Sequence, residues 1–298
     1  MFDLVTMQNL LLTGLLRGGL YALMAVGLAL VFGVMNICHF AHGEYYVLGA
    51  YGAYFAYAIW GLNPIFAILL AAAISFVAGV ITEKLLFYPL RRFAKGEWVM
   101  NAFLLTAGLA VVLQSTYRLA FGMKYRGIIQ YWERTIQIFG MTIAADRVMA
   151  FTIALVAIVG LWFFMQKTNI GRAIRAVSQD ERGAMLMGIN MDQIQTLTFA
   201  LGSMLAGLGG ASLLSLSPAY PYAGVKPLIA SWFVVTIAGL GNVYGAAVGG
   251  LLVGIFESVS YFALGQGWQE VASLSLLILL LLFKPTGLFG TNIKTVWE

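Results

Sequence analysis

Apolar runs of about 20 residues recur along the whole chain, and they constrain the fold more than any other feature. A helix that crosses the ~30 Å hydrocarbon core of a membrane needs about 20 mostly apolar residues. The runs lie near residues 8 to 33, 44 to 61, 64 to 88, 100 to 121, 148 to 166, 193 to 214, 226 to 241, 244 to 262 and 270 to 284. Charged residues make up only 10% of the chain, against about 25% in soluble globular domains. We therefore predict an all-α polytopic transmembrane helix bundle, with eight or nine spans in a single domain over residues 1 to 298.

The stretch from residue 226 to 262 allows two interpretations. Residues 239 to 242 read Gly-Leu-Gly-Asn, and such a break is tolerated where the backbone is buried in protein. The stretch forms either two short spans around this break or one span plus a re-entrant piece. Small residues let transmembrane helices approach closely, so we interpret the dense glycines before and after the break as packing positions. These glycines are Gly202, Gly207, Gly210, Gly245, Gly249, Gly250 and Gly254.

The basic residues between the apolar runs predict the orientation, because Lys and Arg accumulate on the cytoplasmic side of a membrane. One side carries nine of them: Arg91, Arg92, Lys95, Lys167, Arg172, Arg175, Arg182, Lys284 and Lys294. The opposite side carries five: Lys124, Arg126, Arg134, Arg147 and Lys226. With nine spans, this bias places the N-terminus outside and the C-terminus in the cytoplasm of a plasma (inner) membrane protein. The same bias accounts for the net charge of +5, which therefore does not indicate a nucleic-acid partner.

The most informative polar segment runs from residue 168 to 190. Ser178 and, three residues later, Glu181 match a capping box, which predicts the start of a short helix. Gly188 fits the left-handed position that ends such a helix. The sequence therefore predicts a self-terminated helix over residues 179 to 187, in a cytoplasmic loop.

This short helix has two possible functions from its composition alone. It lies on the lipid headgroups if Arg172, Arg175 and Arg182 face anionic lipid. Alternatively, it docks into a groove of a partner protein through its apolar residues Met185, Leu186 and Met187. Composition does not distinguish the two.

The segment resembles the ATPase-coupling loop of ABC-importer permeases of the branched-chain amino acid type, the LivH type. The matching residues are Gly171, Arg172, Ala173, Arg175, Ala176, Gln179, Asp180, Ala184, Gly188, Ile189 and Asn190. Further motifs similar to this family are Tyr21-Ala22-Leu23, Phe40-Ala41-His42-Gly43-Glu44 and Lys284-Pro285-Thr286-Gly287-Leu288. The resemblance therefore extends over nearly the whole chain.

The resemblance implies a membrane subunit that takes up branched-chain or other amino acids, with urea or short amides as the alternative cargo. Its implied partners are a second related permease, two cytoplasmic ATPase subunits and a soluble extracytoplasmic substrate-binding protein. It also favours the docking function of the short helix over the lipid-surface function. The implied coupling residues are Arg172, Arg175, Ser178, Gln179, Asp180, Glu181, Arg182, Ala184, Met185, Leu186 and Gly188.

Charged and histidine residues inside the apolar runs are the other candidates for function, because a charge in lipid needs a pore, a partner or the interface. Glu83, Lys84 and Arg118 lie near predicted span ends, where we expect them to snorkel toward water. The candidates for a translocation pathway, or for buried polar contacts, are Arg17, His42, Glu44 and Glu257. Arg17 is the expected partner of one of the two carboxylates. His42 and its neighbour His39 are expected in a tight cytoplasmic turn rather than in a metal site, which would need further ligands.

Enzyme classes find little support in the sequence. It contains no Gly-x-x-x-x-Gly-Lys-Ser/Thr loop for ATP and no His-Glu-x-x-His motif for zinc, so we expect neither catalysis nor a cofactor in this chain. A secondary transporter driven by an ion gradient is the remaining alternative. Intramembrane carboxylates such as Glu257 would suit ion coupling, whereas a capped cytoplasmic helix has no function in such a carrier.

Overall fold

The computed structural model describes residues 4–93, 98–138 and 141–290. Within these ranges the chain forms twelve α-helices and one antiparallel hairpin. The helices are α1 (Leu4–Met35), α2 (His42–Tyr54), α3 (Pro64–Thr82), α4 (Tyr88–Phe93), α5 (Trp98–Phe121), α6 (Ala145–Lys167), α7 (Asn169–Gln179), α8 (Glu181–Leu186), α9 (Met191–Ser212), α10 (Val225–Ala238), α11 (Val243–Leu264) and α12 (Gln269–Phe283). The strands β1 (Thr135–Ile138) and β2 (Met141–Ala144) pair with Thr135 opposite Ala144. Lys95 and Lys294 lie outside the described residues.

The predicted membrane-spanning helix bundle is confirmed. Within the described ranges, six helical stretches are long and apolar enough to cross a membrane, and α10 and α12 contain shorter apolar helices. The six stretches are Met7–Met35, Pro64–Phe93, Trp98–Phe121, Ala145–Lys167, Met191–Ser212 and Val243–Leu264. Residues 226 to 262 form two helices, because Gly239 and Gly241 both adopt positive φ angles and Asn242 caps α11 by accepting the Gly245 N–H.

The bundle has two ends, which we name after what they carry. The hairpin end carries the β1–β2 hairpin, and there the backbones of Arg126 and Ala219 pair. The α8 end carries α7 and α8, and near it the Gln166 amide of α6 donates to the Tyr244 hydroxyl of α11. The two most extensive helix–helix contacts are between α1 and α11 and between α3 and α9.

Helix α2 begins inside the bundle rather than at one of its ends. Helix α1 ends at the α8 end, where Asn36 takes a positive φ of 53°, a conformation that asparagine tolerates better than most residues. Residues 36 to 41 then run back along the bundle, so that His42 Nε2 lies 3.2 Å from the Met24 carbonyl oxygen. Met24 precedes Met35 by eleven residues, about 16 Å along α1, so α2 begins near the middle of the bundle.

Helix α10 also begins near the middle of the bundle, but it runs in the opposite direction to α2. It follows a non-helical segment over residues 213 to 224, and the Gly224 backbone contacts that of Gly43 in the first turn of α2. A Cβ on Gly224 would lie 2.0 Å from the Gly43 carbonyl oxygen. From this junction α2 extends to the hairpin end, where Tyr57 donates to the Gln130 carbonyl. Helix α10 extends to the α8 end, where the Leu288 N–H donates to the Ile237 carbonyl.

The extended segment before α2 places backbone N–H and C=O groups inside the bundle, and helix α5 provides hydrogen-bond partners for them. The Thr106 hydroxyl of α5 accepts from the Phe40 N–H at 3.2 Å and donates to the Cys38 carbonyl at 3.0 Å. At the end of α1, the Trp98 indole N–H donates to the Met35 carbonyl at 3.1 Å. Non-helical backbone at membrane depth is tolerated only with such partners or beside water.

Most of the glycines predicted to pack lie in close contact with a neighbouring helix, whereas Gly245 lies against the Asn242 and Phe289 side chains. On α9, a Cβ at Gly207 would lie 2.0 Å from the Ser75 hydroxyl, and one at Gly210 would lie 1.9 Å from the Tyr46 carbonyl oxygen. On α11, Cβ atoms at Gly250 and Gly254 would overlap the backbone of α1. Close approach of this kind supplies van der Waals contact where lipid provides no hydrophobic drive between helices.

Candidate functional site

Helix α7 turns sharply back from the end of α6. The Thr168 side chain accepts the Gly171 N–H at 2.9 Å and thereby caps α7. Gly171 allows the turn, because a Cβ there would lie 2.4 Å from the Phe164 carbonyl oxygen. Helix α7 then buries Gly171, Ile174 and Val177 on one face and leaves the opposite face exposed.

The two arginines predicted on this segment have separate positions on α7. Arg175 donates to the Met165 carbonyl near the end of α6, a favourable place for a cation because a helix C-terminus carries partial negative charge. Arg172 is exposed and contacts the Asn169 side chain. Arg175 therefore fixes the α6–α7 corner, and Arg172 remains on the surface.

The predicted capping box is wrong. Ser178 lies within α7 and donates to the Arg175 carbonyl at 2.9 Å, so it does not cap the next helix. The N-cap position of α8 is occupied by Asp180, whose extended backbone (φ −152°) separates α7 from α8. The apolar periodicity of Ile174 and Val177 continues α7 through Gln179, and a residue already in a helix lacks the non-helical conformation that an N-cap requires. The short helix is therefore Glu181–Leu186 instead of residues 179 to 187.

The predicted end of the short helix is confirmed. Gly188 has a φ of 82°, its N–H donates to the Met185 carbonyl, and the Ile189 N–H donates to the Ala184 carbonyl. Asn190 then caps α9 by accepting the Gln193 N–H at 3.2 Å. As a result α8 is a separate helix, continuous with neither α7 nor α9.

Helix α8 projects an apolar tip surrounded by charges. Leu186 and Met187 are 88% and 85% exposed, whereas Ala184 is buried against the chain. The charged and polar residues of the predicted coupling set are exposed around this tip; they are Gln179, Asp180, Glu181 and Arg182. The structure thus brings most of the predicted set onto one projection at the α8 end.

A buried ion pair at the start of α9 corrects the prediction for Glu83. Glu83 does not snorkel, because its side chain is fully buried and lies 2.5 Å from Arg91. It also accepts from the Thr196 hydroxyl of α9 at 2.5 Å. Arg91 further contacts Asp192, the second residue of α9, at 3.3 Å. The pair therefore connects the α3–α4 region to the start of α9, which directly follows α8.

Sequence reasoning missed Arg91 as a site residue. The available signal was a carboxylate inside an apolar run with an arginine eight residues later, in a chain where an unpaired buried charge is costly. The helix between them contains a π-helical turn, Glu83–Phe87, a feature that is frequent at functional sites. In contrast, Lys84 and Arg118 are exposed, and their snorkelling toward water stays a prediction.

The residues predicted to line a pathway or to make buried polar contacts do not form one cluster. Glu44 is buried in the first turn of α2 and accepts from the Gln114 amide at 2.8 Å. His42 is buried at mid-depth instead of in a turn at the cytoplasmic end, because α2 begins inside the bundle. Among the ion pairs of the described residues none joins Arg17 to Glu44 or to Glu257, so the pairing expected for Arg17 is wrong.

Glu257 lies where three helices meet. One carboxylate oxygen accepts from the Tyr21 hydroxyl of α1 at 2.8 Å, and the other accepts from the Ser273 hydroxyl of α12 at 3.3 Å. Glu257 itself belongs to α11 and is buried. Its carboxylate therefore joins α1, α11 and α12 through hydrogen bonds.

Lys226 is not in an outer loop, as the count of basic residues assumed. It is exposed in the first turn of α10, two residues after Gly224, and therefore lies near the middle of the bundle. A lysine at this depth costs about 2.5 to 3.5 kcal/mol on insertion scales if it faces lipid. A charge within a short apolar run, followed by a proline, was the sequence signal of this position. Without Lys226, the hairpin-end set of basic residues falls from five to four.

Comparison with known proteins identifies the family. A family model described as the branched-chain amino acid transport system / permease component matches residues 10–283. The chain belongs to this family. This permease is 31% identical over 295 residues to the high-affinity branched-chain amino acid transport system permease protein BraD of Pseudomonas aeruginosa, with 94% of each chain covered. It is 29% identical over 289 residues to the corresponding permease protein LivH of Escherichia coli K12, with 93% of each chain covered.

A more distant relative of this permease is the permease protein LivM of the same Escherichia coli strain. Identity to LivM is 23% over 295 residues, which cover 90% of this chain and 67% of LivM. No solved structure matches the permease significantly. The matched range contains the α7–α8 segment and ends just before Lys284, so the resemblance inferred from the motifs of this permease is confirmed.

Proposed function

We propose that this permease is a membrane-spanning subunit of an ATP-driven importer for branched-chain or closely related amino acids, with substrate delivered by a soluble binding protein. Family membership supports the transport class. The observation that carries the ATP-driven mechanism is α8, a separate projecting helix with an apolar tip formed by Leu186 and Met187. Helices with exposed apolar residues dock into grooves of partner proteins.

The partners follow from this assignment. Two ATPase subunits bind on the cytoplasmic side of the importer, one of them at α8, and hydrolyse ATP, since the chain contains no Gly-x-x-x-x-Gly-Lys-Ser/Thr loop of its own. The second permease is a related chain, in keeping with two relatives, LivH and LivM, from one organism. No catalytic residue and no cofactor are assigned to the permease itself.

The α8 end faces the cytoplasm in this proposal. The loops and tail assigned to the α8 end carry nine Lys and Arg residues. The loops at the hairpin end carry four, once Lys226 is assigned to the middle of the bundle. The positive-inside bias therefore favours the cytoplasm for α8 and for the C-terminus, with the N-terminus outside.

A displacement of α8 can be transmitted to the transmembrane helices through a chain of contacts. Asn190 joins α8 to α9, and Asp192 and Thr196 of α9 contact the Arg91–Glu83 pair at the end of α3. Helix α9 also packs backbone to backbone on α2. When closure of the ATPase subunits displaces α8, these contacts carry the displacement into α3 and α2 and shift the permease between outward-open and inward-open populations.

The test is uptake into proteoliposomes that contain the permease, its second permease and both ATPase subunits. We expect leucine uptake that requires ATP and the loaded binding protein and that persists when ionophores collapse ion gradients. Competition by other amino acids, urea and short amides defines the cargo. Uptake driven by an ion gradient without ATPase subunits would contradict the proposal.

A further inference from the structure

Two parts of the chain have the same architecture and run in opposite directions across the bundle. Helix α1 crosses to the α8 end, the extended segment returns to mid-depth, α2 runs to the hairpin end and α3 follows. Helix α9 crosses to the hairpin end, residues 213 to 224 return to mid-depth, α10 runs to the α8 end and α11 follows. Before the last helix of each part lie a glycine with positive φ and a capping asparagine, namely Gly61 with Asn63 and Gly241 with Asn242. The permease therefore contains an inverted repeat.

The two repeats meet where α2 and α10 begin. Gly43, in the first turn of α2, and Gly224, which directly precedes α10, are in backbone contact near the middle of the bundle. Neither helix has a side-chain cap at its start, and a helix start carries partial positive charge. In transporters built from inverted repeats, substrates bind near the midplane at the starts of such interrupted helices. The α2–α10 junction therefore has the position of a cargo site.

A carboxylate beside this junction has an oxygen without a partner. Four carboxylates are buried in the described part of the chain: Glu44, Glu83, Asp146 and Glu257. Both oxygens of Glu83, Asp146 and Glu257 accept hydrogen bonds. Glu44 is 2% exposed, and its Oε1 accepts from the Gln114 amide, but its Oε2 has no hydrogen-bond partner among the described residues.

Glu44 is placed to act on a ligand at the junction. It directly follows Gly43 in the first turn of α2, and helix side chains lean toward the N-terminus of their helix. Its carboxylate therefore leans toward the start of α2. The ion pairs of the described residues do not include Glu44, and a carboxylate in a membrane-spanning region without a counter-ion marks a functional site. The ammonium group of an amino acid would supply the missing counter-ion.

Aromatic rings adjoin the same junction. Phe40, two residues before α2, is 37% exposed. It stacks on Trp232 of α10 at 5.7 Å between ring centroids and meets Phe103 of α5 edge to face at 5.3 Å. Helices α5 and α10 both contact α2. The rings therefore provide an apolar surface beside the start of α2, where an aliphatic side chain can pack.

We propose that the α2–α10 junction holds the amino acid in transit, with its ammonium group on Glu44, its carboxylate at the start of α10 and its aliphatic side chain on Phe40. This inference rests on the proposed function. The first turn of α10 contains no acidic residue, whereas that of α2 contains Glu44, so the two helix starts match the two charges of a zwitterion. Gly43 and Gly224 touch in this structure, and the amino acid binds in the population in which α10 has moved away from α2.

The first arm of the test measures leucine uptake by the assembled complex at equal content of all subunits. Glu44→Gln removes the charge, and we expect uptake to fall by about tenfold or more, the loss of one charge-assisted hydrogen bond. Glu44→Asp keeps the charge and retains more uptake than Glu44→Gln. Glu257→Gln is the matched control, because both oxygens of this buried carboxylate are already bonded within the chain, and it keeps uptake. Unchanged uptake in Glu44→Gln would overturn the proposal.

The second arm separates cargo binding from a structural role of Glu44. The thermal unfolding midpoint of purified Glu44→Gln permease is expected to equal or exceed that of the wild type, because the variant removes a buried charge that has no counter-ion. A midpoint as low as that of Glu257→Gln would assign Glu44 a structural role and overturn the proposal.

The third arm measures the access of water and cargo to the junction. In a Cys38→Ala background, which removes the only cysteine of the chain, Phe40→Cys and Val156→Cys are compared in the assembled complex. Val156 is 66% exposed and lies eleven residues from each end of α6, so it is a control at mid-depth. We expect a membrane-impermeant methanethiosulfonate cation to modify position 40 at least about tenfold faster than position 156, because a charge is costly in hydrocarbon. Leucine with its loaded binding protein is expected to slow the modification of position 40 severalfold. Equal rates at the two positions, or no effect of leucine, would overturn the proposal.

The two proposals fail in different ways. If the wild-type complex does not import amino acids with ATP, the proposed function is wrong whatever Glu44→Gln does. Only the cargo site is wrong if the wild-type complex imports leucine while Glu44→Gln is equally active. The same holds if the wild-type complex is active and leucine does not protect the thiol of Phe40→Cys.

Discussion

Replacing Arg91 with methionine tests the buried ion pair that links α3 to α9. The Glu83 side chain is fully buried, and its partners in the described contacts are Arg91 and the Thr196 hydroxyl. Arg91→Met leaves this carboxylate without a counter-charge, and breaking a buried pair in this way costs about 3 to 5 kcal/mol. Arg91 also bridges to Asp192, whose side chain is 44% exposed. Asp192→Asn is therefore expected to cost no more than about 1 kcal/mol, as for surface pairs.

The assay is the free energy of unfolding of the purified permease, measured by SDS titration in mixed micelles. The double variant Glu83→Gln/Arg91→Met removes both charges and is expected to recover most of the loss seen in Arg91→Met, because it leaves no unpaired charge in the interior. The reasoning is refuted if Arg91→Met is as stable as Asp192→Asn. It is also refuted if the double variant is less stable than Arg91→Met.

Three further predictions follow from packing and exposure. Gly49→Ala prevents stable assembly of the bundle, because the new Cβ would lie 2.0 Å from the Gly207 carbonyl oxygen; Gly160→Ala, in open space, changes stability in detergent by no more than about 1 kcal/mol. Leu186→Asp leaves the thermal unfolding of the permease unchanged but abolishes co-purification of the ATPase subunits; retained co-purification would be contrary to the docking function. Glu257→Gln lowers stability by about 1.5 to 3 kcal/mol but keeps uptake in assembled complexes, and lost uptake with normal assembly would instead place this carboxylate in the pathway.

The helical architecture could be predicted because hydropathy is a local signal. Each predicted span falls on a helix, and the break between α10 and α11 lies at the predicted Gly-Leu-Gly-Asn sequence. The end of α8 was also predictable, since Gly188 provides the left-handed conformation without help from distant residues.

The failures concern features that only tertiary contacts decide. Ser178 and Glu181 have the residue types of a capping box, but α7 continues through Ser178 because its apolar face packs on the bundle. The depth of α2 and α10 depends on the contact between Gly43 and Gly224, which are distant in sequence. Lys226 was assigned to an outer loop for the same reason, since sequence alone does not show that a chain segment re-enters the bundle.

The most direct test of the central claim is photo-crosslinking from position 186 in living cells. A benzoylphenylalanine residue replaces Leu186, and a second strain carries it at Ile129, which is equally well exposed near the hairpin end. The account predicts that position 186 forms adducts with the ATPase subunit and that position 129 does not. Adducts of position 186 with lipid alone, in cells that assemble an active transporter, would contradict it.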